Sequence, residues 1–407
     1  MKIKKIESIL SCFGRNYLIV KITTDDGIIG YGDATLNGRE LAVKSIIDNY
    51  LSDFLKERNA SRIEDIWQMI FKGTYWRNGP VLTTALAGID MALWDIKGKK
   101  ANMPLYSLLR GKCRDKLKIY IHVHGKNEDE LLDRCAKKIN NGYKVLRYSF
   151  DIIDPSNKKN ILYQPHQDLE ISRIEESNIK KIESCWDSEI YISELIRITK
   201  KIRQSFGNKI ELIHDIHSRL SLSQAIRLSH KLEDYNLFFL EDPIDPMNKE
   251  ALKKFKYYTY TPIATGELFT NLYDFKDIIS NQAIAYIRAD ISHIGGITPL
   301  LKLSAFAELY DIQTAFHGPS DISPIAHSAM AHINACISNF GIQEYVENID
   351  NFSDVFKTPL KIKDGYLEIL PKAGIGVEIN EEIMKKYPYK KVFLPILRDG
   401  MGAIHNW

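Results

Sequence analysis

Nothing in these 407 residues approaches the ~20 consecutive apolar positions that a membrane-spanning helix needs, so no transmembrane span is expected. The basic start, MKIKKIESIL, runs into Ser, Cys, Gly, Arg and Asn rather than an apolar stretch, which argues against a secretory leader. Cysteine is scarce and unpatterned. Cys12, Cys113, Cys135, Cys185 and Cys336 form no CxxC and no paired zinc spacing, and they read as reduced thiols of a cytoplasmic protein. Neither sign of charge dominates: 55 Lys and Arg against 52 Asp and Glu leave +3, so nothing points to nucleic acid. The pair Gly295-Gly296 lacks a GxGxxG context and reads as a tight strand-to-helix connection, not a phosphate cradle. There is no low-complexity segment. At 44% hydrophobic and 26% charged, the composition is that of an ordinary globular protein, with room for a barrel of ~250 residues plus a second domain.

What is present is a spacing. Asp215, Glu241 and Glu267 lie 26 residues apart and then 26 again, each closing a strand-like run: ELIHD, LFFLE and PIATGE. A repeat of that length is about one strand plus one helix. Acids at the same end of successive parallel strands converge, which points to a divalent-metal site at a barrel mouth.

The first 114 residues read as a small α+β domain. Apolar alternation over 1–35 is broken by a Thr-Asp-Asp-Gly turn, and helical patterns follow over 39–57, 61–71 and 80–100. Eight strand candidates then alternate with helical patterns: 117–124, 143–150, 209–215, 237–241, 262–267, 284–290, 312–318 and 341–346. That is a (β/α)7β TIM-type barrel over 115–374, with an irregular insertion at 151–187 and a tail, 375–407, expected to pack back on the first domain or the barrel mouth.

The strand ends carry chemistry. In order they present His122 and His124, Arg147, Asp215 and His217, Glu241, Glu267, Arg288 and Asp290, His317, and Glu344. Buried parallel strands favour Val, Ile and Leu, so ionisable residues at all eight ends suggest an active site. Three carboxylates without a thiolate favour a hard ion, best Mg²⁺. Strand period aims His217 at the same face as Asp215 and His214 away from it. His230, His327 and His332 fall in helical patterns and read as ordinary surface or core histidines.

The segments DATLNGRE (33–40), HDIHSRL (214–220), FFLEDP (238–243), TGE (265–267), ISHIGGIT (291–298) and FHGPSDISP (316–324) resemble the mannonate dehydratase branch of the enolase superfamily. The likeness runs from Asn37 to Trp407. It implies an enolase-like fold, an α+β capping domain on a (β/α)7β barrel. By motif, Asp215, Glu241 and Glu267 would hold one Mg²⁺ per site. His217 would be an acid/base group, and Asp290 would orient His317. Asn37, His122, Arg288, His317, Asp321, Glu344 and Trp407 would line the sugar-acid site. In efficient members an Arg at the end of strand two, here Arg147, supports a loop Tyr that acts as base. The loop here reads YSFDIIDPSNKKNILYQP, with Lys159 where that Tyr is expected.

The reaction so implied is that of a lyase: loss of water from D-mannonate or D-gluconate to a 2-keto-3-deoxy acid. Two alternatives stay open. One is a weakly active or inactive ligand-binding relative. The other is a different proton-abstraction reaction of the superfamily, such as racemisation. A homo-oligomer is expected, with a small-molecule substrate and neither nucleic acid nor membrane as partner.

Overall fold

The alternating apolar residues of the first 33 positions form an antiparallel meander, Ile3–Phe13, Arg15–Thr24 and Ile29–Asp33. In the second turn Gly27 takes φ +83°, a left-handed conformation natural to glycine. The helix Pro80–Ala101 lies on this sheet. Pro80 at its first turn favours initiation, and Asn102, left-handed at φ 51°, ends it. The computed structural model describes residues 1–153, 160–162, 183–347, 353–394 and 396–406. The chain divides into two compact units, one of Met1–Lys118, Glu267–Lys276 and Arg288–Lys390, the other of Ile119–Gly266, Asp277–Ile287 and Lys391–Trp407.

In the first unit, helix and meander meet at backbone contact. A Cβ on Gly32 would lie 2.0 Å from the Gly88 carbonyl oxygen, and one on Gly30 would lie 2.2 Å from that of Ala92. Around this seam pack Val20, Ile22, Ile89 and Ile96, all fully buried. Gly32→Ala is therefore expected to destabilise the protein by about 3 kcal/mol, because neither backbone can retreat without opening the core. A thermal melt indistinguishable from wild type would contradict that packing.

Beyond the meander, the long helix expected over 39–57 is interrupted. Glu40–Ile46 is α, Ile47–Leu51 is a π-turn and Ser52–Leu55 is α. The wider turn keeps Ile47 and Leu51 both buried. This unit also holds the helices Ile297–Glu308 and Pro324–Cys336 and the hairpin Leu360–Lys363/Tyr366–Ile369, which adds to Lys116–Lys118. In its later residues, Lys21 pairs with Glu381 at 2.7 Å, and Ser11 and Asn16 bond the carbonyls of Met384 and Lys390.

The helix Pro324–Cys336 is buried throughout, including His327 and His332. The Tyr106 amide donates to His332 Nδ1 at 3.2 Å, and His332 Nε2 donates to the Ile375 carbonyl at 3.1 Å. Burial pushes the pKa of each of these histidines down to about 4. A histidine lowered from an ordinary 6.5 stabilises the fold above pH 6.5, and that contribution is lost as pH falls toward 4. For His332 the loss is roughly 3 kcal/mol. His332→Gln should flatten the fall in urea-unfolding stability between pH 7 and pH 4.5. An unchanged slope would refute the assignment.

The second unit contains six parallel strands: Lys116–Gly125 (from Ile119 onward), Val145–Phe150, Glu211–Asp215, Phe239–Glu241, Ile263–Thr265 and Tyr286–Ile287, hydrogen-bonded in that order. Along them Ile119, Ile121, Val145, Leu146, Leu212, Ile213, Leu240, Ile263 and Ile287 are buried. Helices Glu128–Asn140, Ser188–Phe206, Leu222–Leu232 and Lys249–Phe255 alternate with them. The helix starts are written in sequence. Asn127, Asp187 and Asn248 cap theirs, and Ser221 with Gln224 forms a capping box. Of the expected insertion, residues 154–159 and 163–182 lie outside the described residues. What is described pairs Ile152–Ile153 with Asn160–Leu162, and Glu183–Trp186 in parallel with Ile396–Asp399.

Candidate metal centre and active site

Asp215 and Glu241 are the last residues of neighbouring strands and sit opposite each other in register. Glu241 also aligns with Ala264 of the next strand. Glu267 follows that strand's end after Gly266, whose φ of +127° turns the chain. One carboxylate oxygen from each of Asp215, Glu241 and Glu267 lies within 4.8 Å of the others. Glu241 is fully buried and Asp215 nearly so. Three acids at that separation repel one another unless a cation lies among them, and an all-oxygen donor set suits a hard divalent ion.

The second unit supplies the surroundings of Asp215 and Glu241. Arg147, aligned with His122 on the adjoining strand, donates to Asp215, and its Nε lies 3.5 Å from Glu241 Oε2. Its Nη1 is 3.1 Å from the His122 ring and its Nη2 3.2 Å from His217 Nε2. His217 reaches this cluster by a different route from the strand alternation expected above. The strand stops at Asp215, and His217 and Ser218 both turn left-handed, at φ 53° and 59°. Such backbone is uncommon outside glycine and is held here by neighbours. The Ile216 amide donates to the Glu241 carbonyl (3.0 Å), the Ser218 amide to the Asp242 carbonyl (2.8 Å), and the His217 amide to Asp215 Oδ1 (2.7 Å). Arg219, buried beside them, places Nη2 3.0 Å from His217 Nδ1.

His214, on the opposite face of the strand, is a packing residue. It bonds the Tyr191 hydroxyl at 2.8 Å and the Tyr148 carbonyl at 3.0 Å, and burial pushes its pKa down to about 3. His124 has neighbours of its own, Ser149 Oγ at 3.1 Å and Asp151 Oδ1 at 3.4 Å.

The first unit groups the remaining strand-end residues. Arg288, fully buried, donates to Glu344 at 2.9 Å and to the Ala315 carbonyl at 3.1 Å, and it lies 3.7 Å from Glu267. Glu344 also accepts the Gly318 amide at 2.7 Å. His317 Nδ1 lies 2.8 Å from Asp290 Oδ2, and its Nε2 is 3.5 Å from Glu267. Burial works against charge on His317, but Glu267, Asp290 and Glu344 outweigh it and raise the pKa to about 9. Burial likewise works against the Asp290 carboxylate, yet His293, His317 and the Ser292 amide hold its pKa below the usual range. Asn37 donates to Asp321 at 2.9 Å, and Asp321 is ion-paired with Arg15. Trp407 lies outside the described residues, as do Lys159 and most of the loop around it.

Three neighbours of these groups carried no signal strong enough to be singled out in sequence: Arg15, Asp33 and Arg219. Asp33 and Arg219 fall inside the segments DATLNGRE and HDIHSRL, but only the fold reveals their contacts. Asp33, fully buried, accepts from Ser292 Oγ at 3.0 Å and from the Ser323 amide at 2.7 Å, tying together the loops that follow Asp290 and His317.

Two family patterns match this chain. The mandelate racemase / muconate lactonizing enzyme N-terminal domain covers residues 7–110, and the enolase C-terminal domain-like pattern covers 174–383. The chain belongs to the enolase superfamily. Among its relatives in that superfamily, a D-galactonate dehydratase family member of Pseudarthrobacter chlorophenolicus is 41% identical over the whole of both chains. A D-mannonate dehydratase of Caulobacter vibrioides is 39% identical, again over all of both. A crystal structure of an enolase from Pantoea ananatis with bound D-gluconate and Mg superposes with a TM-score of 0.90 at 39% identity, covering all of both chains. The fold is accordingly enolase-like: α/β with a mainly parallel sheet, an N-terminal capping domain and a C-terminal barrel. Among the described residues no helix is long and apolar enough to cross a membrane.

Proposed function

We propose that this protein is a Mg²⁺-dependent sugar-acid dehydratase acting on D-mannonate or D-gluconate. The observation that carries this reading is the convergence of Asp215, Glu241 and Glu267 in a chain aligned end to end with named dehydratases. The triad would hold one Mg²⁺, whose charge offsets the negative charge developing on the substrate carboxylate as the weakly acidic α-proton leaves. The chain's own residues do the rest. Arg147 and His122 flank the carboxylate end of the substrate. The α-proton leaves C2 to a base. The C3–O bond then breaks with its electron pair going to oxygen, and His217 or His317 protonates that oxygen to release water. Asp290 holds His317 through Nδ1, which presents Nε2 to the site. Arg288, Asp321, Asn37, Glu344 and Trp407 complete the substrate pocket in this reading. The enol so formed ketonises to the 2-keto-3-deoxy acid.

The test is product formation from D-mannonate, D-gluconate and epimeric hexonates and pentonates, with Mg²⁺ and with EDTA. Metal-dependent 2-keto-3-deoxy acid from one acid supports the reading and names the substrate. Lys159, in place of the loop tyrosine of efficient members, favours a second reading: a weakly active or inactive ligand-binding relative. Absence of product from every acid, together with ligand-dependent thermal stabilisation, would select it. Deuterium uptake from solvent without dehydration would instead indicate racemase-type chemistry. The proposal includes a cytoplasmic homo-oligomer, which light scattering on the purified protein tests.

A further inference from the structure

Asp33 closes the third strand of the meander, is fully buried, and uses both of its carboxylate oxygens. Oδ1 accepts from Ser292 Oγ at 3.0 Å and from the Thr35 amide at 2.9 Å. Oδ2 accepts from the Ser323 amide at 2.7 Å and from Thr35 Oγ1 at 3.3 Å. The Ser292 amide in turn donates to Asp290 Oδ1 at 2.7 Å, and Asp290 Oδ2 lies 2.8 Å from His317 Nδ1. From His317 the chain runs on to Ser323, which returns to Asp33. These contacts close a ring through Asp33, Ser292, Asp290, His317 and Ser323.

We propose that Asp33 is a positioning residue for the Asp290–His317 pair: it holds the loops that follow both members of the pair on one carboxylate and so fixes where His317 Nε2 points. The inference rests on the dehydratase reading and adds to it a residue of the capping domain that acts on the chemical step through His317.

The local turn does not account for these contacts. An Asx turn asks only that the side chain accept from the amide two residues on, which Thr35 provides. Ser292 and Ser323 are 259 and 290 residues away in the chain and have no part in that turn. With Thr35 Oγ1 they bring the donors to four, which fills the roughly four lone-pair sites of a carboxylate. Burial pushes the Asp33 pKa up, while the bonds from Ser323, Thr35 and Ser292 work to hold it down. A buried acid is costly unless its donors stay in place, so the two distant loops are held as firmly as the acid itself. The backbone fixes His317 only in part. Its amide donates to the Ala289 carbonyl at 3.1 Å, which places the residue but leaves the ring free to turn. Ring orientation depends on Asp290, whose Oδ2 is also approached by His293 Nδ1 at 3.6 Å. The Ser292 amide on Oδ1 turns Oδ2 toward His317, and Asp33 holds Ser292 in the position from which it does so. A neighbouring buried acid provides the contrast. Asp90 accepts the Thr298 amide at 3.0 Å and anchors the helix Ile297–Glu308, bonding Thr298 rather than Ser292 or Asp290.

The experiment compares wild type, Asp33→Ala, Asp33→Asn, Ser292→Ala and Asp90→Asn, all with Mg²⁺. The readouts are kcat and KM on whichever of D-mannonate and D-gluconate wild type turns over, thermal melts, and crystal structures of Asp33→Ala and Asp90→Asn. A misplaced reacting group can cost about 10²-fold, so Asp33→Ala should lower kcat by roughly that factor while KM stays within about threefold. Asn keeps the shape and one acceptor oxygen for the Ser323 amide, so Asp33→Asn should recover part of the lost kcat. Ser292→Ala breaks one link of the ring and should lower kcat by at least about fivefold, again with little change in KM. Asp90→Asn should lower the melting temperature but leave kcat within about threefold. In crystals the Asp290–His317 contact should be lost in Asp33→Ala and kept in Asp90→Asn. The proposal is overturned if Asp33→Ala costs no more kcat than Asp90→Asn, if its effect lies in KM alone, or if its crystals keep His317 on Asp290. Should no acid be turned over by wild type, the dehydratase reading fails on its own account, and the crystallographic comparison still decides whether Asp33 positions His317. If Asp33→Ala does not fold, Asp33→Asn and Ser292→Ala carry the same kinetic and crystallographic comparison.

Discussion

Glu241→Gln is expected to lower sugar-acid turnover by at least ~10³-fold and to remove Mg²⁺-dependent stabilisation of the fold. Glu241 would be the central ligand of the triad. It is fully buried, paired in register with Asp215 on one side and with Ala264, three residues before Glu267, on the other. Gln keeps the shape but withdraws one of three negative charges and substitutes an amide for a hard anionic donor. The two effects have opposite signs in the absence of metal. There, three carboxylates within 4.8 Å repel one another, so the variant should melt no lower than wild type in EDTA. With Mg²⁺ added, wild type should gain thermal stability and the variant should not. Thermal melts in EDTA and in Mg²⁺, alongside the dehydration assay, check both arms. A variant that keeps its Mg²⁺ response or its turnover would remove the triad as the metal centre.

Glu344→Leu is expected to cost about 3–5 kcal/mol of stability, about 4–6 °C in the melting temperature of the metal-free protein. Arg288 and Glu344 are both without solvent exposure and bonded at 2.9 Å. Removing Glu344 leaves a buried guanidinium short of its main anionic partner and deprives the Gly318 amide of its acceptor. The companion test is Arg288→Met/Glu344→Leu, which replaces the ion pair with apolar side chains of similar bulk. Such replacements often recover most of the loss, so the double variant should melt well above Glu344→Leu while remaining inactive. If the single variant melts with wild type, the pair is not the structural support described here.

The convergence of the three acids could be read directly, because equal 26-residue spacing and a strand-like run before each acid leave few other arrangements. The helix starts at Asn127, Asp187 and Ser221 were legible for the same local reason, a capping side chain before an apolar period. The strands proved shorter than their apolar runs. Ile284–Asp290 was expected as a strand; Tyr286–Ile287 is one, and beyond it the pairing continues only as an isolated parallel bridge between Asp290 and His317. Asn37 and Asp321 could be named only through family resemblance, and the structure brings them together at 2.9 Å.

The order of the chain alone determined the α/β alternation, the acids at the strand ends and the oxygen-only donor set that calls for a hard cation. These are local properties: period, spacing and side-chain chemistry. Tertiary structure decided the rest. His217 joins Asp215 through two left-handed residues stabilised by the neighbouring strand, a conformation that strand period does not predict. Arg15, Asp33 and Arg219 acquired their importance only by contact with residues distant in sequence or brought near by an unusual turn. Such contacts depend on where whole elements pack, and no pattern within a short window records that.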